Sequence, residues 1–293
     1  MERKGFYQPS EITEIAIQAG VKKVSISSTK LLLLGILAGS FIAFAAEGSN
    51  MAAFNLFSNP QTYGLGKAVA GTIFGTGLML VLIAGAELFT GNTLIFCALL
   101  DGKVSIKGML RNWSLVYIGN FIGSIFVAYM IVNSGQLGSG GNALATTTIK
   151  IASYKTGLEF LPAFFLGLMC NWLVCLAVWM SYGAKDITGK IWSVFFPIWL
   201  FITSGFEHSI ANMYYIPAGI LAKGNPIWLN NALESGLTIE KLNHLNWHSF
   251  FVNNLIPVTL GNIVGGGLFV GIIYWYIYRS NVNNEHAREY SVK

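Results

Sequence analysis

Six long apolar stretches constrain this chain more than any other feature. They cover roughly residues 31–54, 68–100, 109–134, 157–183, 191–221 and 248–278, joined by short polar segments. A helix needs about 20 apolar residues to cross a bilayer, and lipid offers no partner to an unpaired backbone group. The runs therefore predict an all-α integral membrane protein with six transmembrane helices. Charge density agrees. Only 11% of residues are charged and 54% are hydrophobic, whereas a soluble domain carries about 25% charged residues. So few charges cannot clothe a water-facing surface, which excludes a soluble enzyme.

The net charge of +5 sits in the loops between apolar runs rather than on one amphipathic face, so no nucleic acid partner is expected. With six spans and both ends on one side, that side collects Arg3, Lys4, Lys22, Lys23, Lys30, Lys103, Lys107, Arg111, Lys185, Lys190, Arg279, Arg288 and Lys293. The other side holds Lys67, Lys150, Lys155, Lys223 and Lys241. Positive loops stay inside, so both termini are expected in the cytoplasm of a cell whose inner (plasma) membrane holds the chain.

Residues 1–30 read as a cytoplasmic amphipathic segment, with Ile12, Ile15 and Ile17 on a short helix that Ser10 caps and Gly20 ends. Residues 31–280 are expected to form the transmembrane domain and 281–293 a cytoplasmic tail. Cys97, Cys170 and Cys175 lie in apolar surroundings with no disulfide or zinc spacing. They read as packing residues, and no metal or cofactor is expected.

Two motifs recur. Gly85-x-Glu87-x3-Gly91-Asn92 matches Gly205-x-Glu207-x3-Ala211-Asn212, and Asn112-x6-Gly119-Asn120-x2-Gly123 matches Asn254-x6-Gly261-Asn262-x2-Gly265. The second span thus resembles the fifth and the third resembles the sixth. Three spans per repeat is odd, so the halves, about 31–134 and 157–278, must be inverted. The first motif breaks helices 2 and 5 at membrane depth, where irregular backbone survives only when buried or lining a cavity.

Polar residues inside spans are functional candidates. His208 is the histidine within an apolar run, and it lies in a break, so it can lend a proton or a charge to a passing anion. Thr90 offers a hydroxyl in the other break. Glu87 and Glu207 occupy equivalent positions, and binding freed backbone N–H groups suits them better than facing the path, where they would repel anions. Asn120 and Asn262 are placed to bond the broken backbone. Half-helix N-termini at the breaks add positive potential, and Lys150 with Lys155 can raise the local anion concentration. Phe74, Leu78, Leu88, Phe89 and Phe201 lie near the breaks and could constrict a pore.

The motifs Ala86-Glu87-Leu88-Phe89-Thr90-Gly91-Asn92, Asn171 with Val174 to Tyr182, Gly205 to Met213, and Asn254 to Asn262 resemble those of the formate/nitrite transporter family, nearest to its formate channels. The resemblance implies an aquaporin-like protomer, a homopentamer, and one pore per protomer for a small anion such as formate. It implies a central pair of His208 and Thr90 with Asn262 beside it, a vestibule Lys155 with Asn171 as its partner, and Glu207 as the acid before the histidine. It assigns Leu88 and Phe201 to a cytoplasmic constriction, Phe74 and Leu78 to a periplasmic one, and the N-terminal segment to a cytoplasmic gate. Formate channels can carry Ser-Thr where Gly91-Asn92 stands here, so nitrite and hydrosulfide stay beside formate as substrates. A neutral-solute channel of aquaporin type would need paired Asn-Pro-Ala breaks, which the sequence lacks. A membrane enzyme using Glu87, Glu207 and His208 finds no nucleophile–base pairing or metal-ligand spacing.

Overall fold

The computed structural model describes residues 5–279; the expected tail, 281–293, lies outside them. Among the described residues the chain is helical, with a single isolated bridge between Phe6 and Ala184. Six helices among the described residues are long and apolar enough to cross a membrane: α2 (Ser28–Phe57), α3 (Tyr63–Gly85), α5 (Ile106–Asn133), α7 (Phe160–Gly183), α8 (Ile187–Ser204) and α12 (Trp247–Arg279). Between them lie α1 (Pro9–Ser25), α4 (Phe89–Leu100), α6 (Ala143–Thr156), α9 (Ser209–Ala222), α10 (Pro226–Glu234) and α11 (Ile239–His244).

Two apolar runs each supply more than one helix. The second run divides into α3 and α4 around residues 86–88, and the fifth into α8 and α9 around residues 206–208. The sequence says why: Gly85 and Gly205 both take positive φ, at 93° and 76°, a region open to glycine at little cost.

Spans pack through small residues, as expected where lipid removes the hydrophobic drive between helices. α5 lies against α2 and α12 against α7. A Cβ on Gly123 would sit 2.0 Å from the carbonyl oxygen of Ile36, and one on Gly265 would sit 2.1 Å from that of Leu168. Both glycines are thus fixed by backbone-to-backbone approach. In α12 the helix widens over Phe250–Leu255, just before Pro257, whose ring excludes a normal turn and which has no N–H to donate.

α1 corrects the expected caps. Gln8, not Ser10, is the N-cap, closed by a bond from its own backbone N–H to Glu11 Oε2 at 2.6 Å. The helix continues through Gly20 to Ser25, because Gly20 is where α1 meets Ala98 of α4. Ile12, Ala16 and Ile17 are buried against α4 and α7, so the segment is docked on protein.

Candidate functional site

The two extended stretches are held alike. Glu87 N–H donates to Leu34 O and Glu207 N–H to Leu166 O, each at 3.2 Å. The next residues, Leu88 and His208, have nearly the same backbone angles (φ −108°, ψ 124° and φ −109°, ψ 115°) and cap α4 and α9. Asn120 Oδ1 accepts from Phe89 N–H at 2.9 Å while its Nδ2 donates to Gly35 O and Glu87 O. Asn262 Oδ1 accepts from Ser209 N–H at 2.9 Å while its Nδ2 donates to Gly167 O and Glu207 O. Both asparagines are fully buried, and they satisfy the backbone groups that the interruptions free.

The acids do a different job from the one expected. Glu207 binds Lys155 Nζ at 2.7 Å and accepts from Asn212 Nδ2 at 2.7 Å, and Asn254 bridges Asn212, Glu207 and the Lys155 carbonyl. Glu87 binds Lys23 Nζ at 2.8 and 2.9 Å and accepts from Asn92 Nδ2 at 2.7 Å, and Asn112 links Asn92 to the Lys23 carbonyl. Each carboxylate is held by a lysine and an asparagine, and neither takes the freed backbone N–H groups, which the asparagines Asn120 and Asn262 already satisfy.

Sequence reasoning missed Lys23. It comes from α1, and it does for Glu87 what Lys155 does for Glu207. A signal was present: Lys23-x10-Leu34-Gly35 repeats as Lys155-x10-Leu166-Gly167. A lone lysine in a polar leader gives no reason to look for it.

The two interruptions meet where the first turn of α4 reaches the cap of α9. Thr90 Oγ1 and His208 Nε2 are 3.0 Å apart. Ala211 N–H donates to His208 Nδ1 at 3.0 Å. A backbone N–H can only donate, so Nδ1 is the acceptor and the ring carries its proton on Nε2, directed at Thr90. Thr90 is also fixed from behind, because its carbonyl accepts from Thr93 Oγ1 at 2.7 Å and from Asn171 Nδ2 at 3.2 Å. Within the matched segments Leu88 corresponds to His208 and Ile210 to Thr90. The polar pair is thus where the two halves differ.

A cavity of about 790 Å³ leads down to His208 from the face opposite α1. Its rim includes Ser58 and Ser235, and its deeper wall includes Lys67, Lys155, Phe201 and Glu207. Three expected placements need correction. Phe201 was assigned with Leu88 to one constriction and Phe74 with Leu78 to another. Instead the rings of Phe74 and Phe201 pack edge to face at 5.6 Å, and Phe201 lies over the His208 ring at 6.0 Å. Phe201 is on the last turn of α8, facing α3, so it belongs with Phe74. Phe89 points elsewhere: its ring packs on Trp113 and Tyr117 at 5.7 and 4.8 Å, since neighbours across an extended residue face opposite ways. Asn171 does not partner Lys155. It joins the carbonyls of Thr90 and Asn262, the latter at 2.6 Å. Leu78 and Leu88 are buried in the core.

Comparison with known proteins identifies the family. The model of the family described as "Formate/nitrite transporter" fits residues 10–276. A probable formate transporter of Methanothermobacter thermautotrophicus is 38% identical, over 93% of this chain and 97% of its own length. The formate channel FocA of Escherichia coli K12 is 37% identical, over 92% of this chain and 94% of its own. A solved pentameric formate channel with formate bound superposes with a TM-score of 0.75 at 41% identity, covering 86% of this chain and 97% of that one. The relatives are transporters and channels rather than enzymes. With the family model matching most of the chain and the relatives matched almost end to end, the chain belongs to the formate/nitrite transporter family.

Proposed function

We propose that this protein is a transmembrane channel for formate, with formate and a proton passing the Thr90–His208 junction together. The observation that carries the reading is the 3.0 Å contact between Thr90 Oγ1 and His208 Nε2, where two similarly braced chain interruptions meet at the floor of a cavity. Those interruptions are read as the broken second and fifth helices of an inverted repeat, aquaporin-like in plan. Their N-termini then turn partial positive charge toward one point. The pentameric relative supports a homopentamer with one pore per protomer. The lysine and arginine count supports both termini in the cytoplasm, with the cavity opening outward.

In this reading formate is drawn in by the outer lysines and reaches Phe74 and Phe201. It then accepts the Nε2–H of His208 in place of Thr90. Thr90 Oγ, Asn171 and Asn262 hold that geometry, and Lys155 with Glu207 fixes the approach. A bare anion pays a large desolvation cost between buried rings. Formate is therefore read as crossing with one proton supplied by the solution on the acidic side, as formic acid, and giving that proton up on the far side, with the His208 Nε2–H as the hydrogen-bond donor that selects it.

The test is uptake by proteoliposomes of formate, nitrite, hydrosulfide, lactate and water in parallel. Formate flux well above the others, rising as pH falls, supports the reading. A preference for nitrite or hydrosulfide moves the substrate within the family. Flux no greater than that of empty vesicles overturns the function.

A further inference from the structure

We infer that Lys67 and Asn50 form an outer anion subsite in the vestibule, where a small carboxylate rests before it reaches His208. The inference rests on the channel reading above and deepens it.

Three lysines line the cavity, and two are already engaged. Lys155 Nζ is bound to Glu207 at 2.7 Å, so from a distance that pair is nearly neutral. Lys150 Nζ donates to the Ser235 carbonyl at 2.8 Å. Lys67 has no ion pair and no hydrogen bond among the described residues. Its ammonium is 6.0 Å from the ring centre of Tyr63 and 3.3 Å from where a Cβ on Gly205 would lie. That puts an ammonium without a bonded partner on the cavity wall beside Gly205, which precedes His208 by three residues.

The second observation is independent. Asn50 lines the same cavity, is only 2% exposed, and its Nδ2 donates to no acceptor. Buried amide donors are almost always paired, and leaving one unpaired is costly. An ammonium and an orphaned amide donor in one cavity are complementary to the two oxygens of a carboxylate. The carboxylates of the region do not take the place of that ligand. Glu207 is held by Lys155, Asn212 and Asn254. Glu47 does not line the cavity; its Oε2 accepts from Tyr214 Oη, and its Oε1 makes no hydrogen bond to Asn50. Glu234 is exposed at the rim.

The full-length protein is tested in proteoliposomes by initial formate uptake against external formate concentration. Lys67→Gln and Asn50→Leu should each raise KM about three- to tenfold, with the maximal rate within about twofold, and Lys67→Arg should restore KM. Lys67→Cys gives a readout that a packing defect does not move. Its modification by aminoethyl methanethiosulfonate restores the positive charge, and the sulfonatoethyl reagent installs a negative one. The native cysteines are all buried, which keeps background labelling low. KM should be lowest with the positive adduct and highest with the negative one, and added salt should compress the difference. Equal KM for the two adducts, with wild-type flux intact, overturns the subsite and leaves the channel reading standing. A wild-type protein without formate flux overturns both.

Discussion

Replacing Asn262 with leucine, a side chain of similar volume, isolates the role of the buried asparagine brace. Asn262 Oδ1 accepts from Ser209 N–H at 2.9 Å, and its Nδ2 donates to Gly167 O at 2.7 Å and Glu207 O at 3.1 Å. The site has no exposure to solvent. Three hydrogen bonds at about 1 kcal/mol each are lost, and the orphaned Ser209 N–H adds about 1–2 kcal/mol of uncompensated burial. The sum is roughly 4–5 kcal/mol, which corresponds to a fall in Tm of about 10 °C for a chain of this size. The assay is thermal unfolding of detergent-solubilised protein followed by tryptophan fluorescence. Asn120 makes the same three bonds at the other interruption, so Asn120→Leu should cost a similar amount. Transport should separate the two. Ser209 follows His208 directly, so Asn262→Leu should lose most formate flux per folded protein, with less effect from Asn120→Leu. An Asn262→Leu protein that melts within about 2 °C of the parent would refute the bracing argument.

Four further outcomes follow from the geometry. Lys23→Met should lower stability by about 2–4 kcal/mol, since Glu87 is left buried without its cation, and adding Glu87→Gln should recover part of the loss in a double-mutant cycle read by denaturation. Gly123→Ala and Gly265→Ala each place a Cβ about 2 Å from a carbonyl oxygen, so both should fold poorly, with reduced yield of monodisperse protein on size exclusion. The hydrogen bond from Gln18, aided by Lys103 and Arg279, holds the Glu14 carboxyl below its ordinary range. Burial works the other way at Asp101, but Arg279, Trp275 and Lys103 outweigh it and its carboxyl is also held low. Folded values below unfolded ones mean that these contacts stabilise above the ordinary carboxylate range and are lost as pH falls through the lowered values. Protection of α1 from proteolysis should therefore hold at neutral pH and decline only in strong acid. Removing the hydroxyl in Thr90→Val should leave the His208 Nε2–H without its partner and lower formate flux at least tenfold.

Much of this arrangement was readable before any coordinates. Length and hydropathy suffice for six spans, because lipid forces every backbone group to pair within its own segment. The repeated Glu, Asn and Gly positions exposed both interruptions and both asparagine braces. They recur because each interruption needs the same backbone repair. Lys23 was hidden for a physical reason: its meaning depends on docking of α1, a tertiary event that the polarity of residues 1–30 does not encode. The aromatic residues misled for another reason. Phe89 and Phe201 are apolar neighbours of the breaks in sequence, but which ring faces the path is fixed by local backbone geometry, and hydropathy carries no direction. Asn171 was expected beside Lys155, yet its contact with the carbonyls of Thr90 and Asn262 depends on how α7 meets α4 and α12.

The central claim is that formate passes between Thr90 and His208, and pH-resolved formate uptake by proteoliposomes holding either the parent protein or His208→Asn tests it most directly. The account predicts strong uptake by the parent that rises with acidity, and a variant of equal folded amount whose uptake is reduced and whose pH dependence is altered. Identical uptake and pH profiles for the two proteins would contradict it.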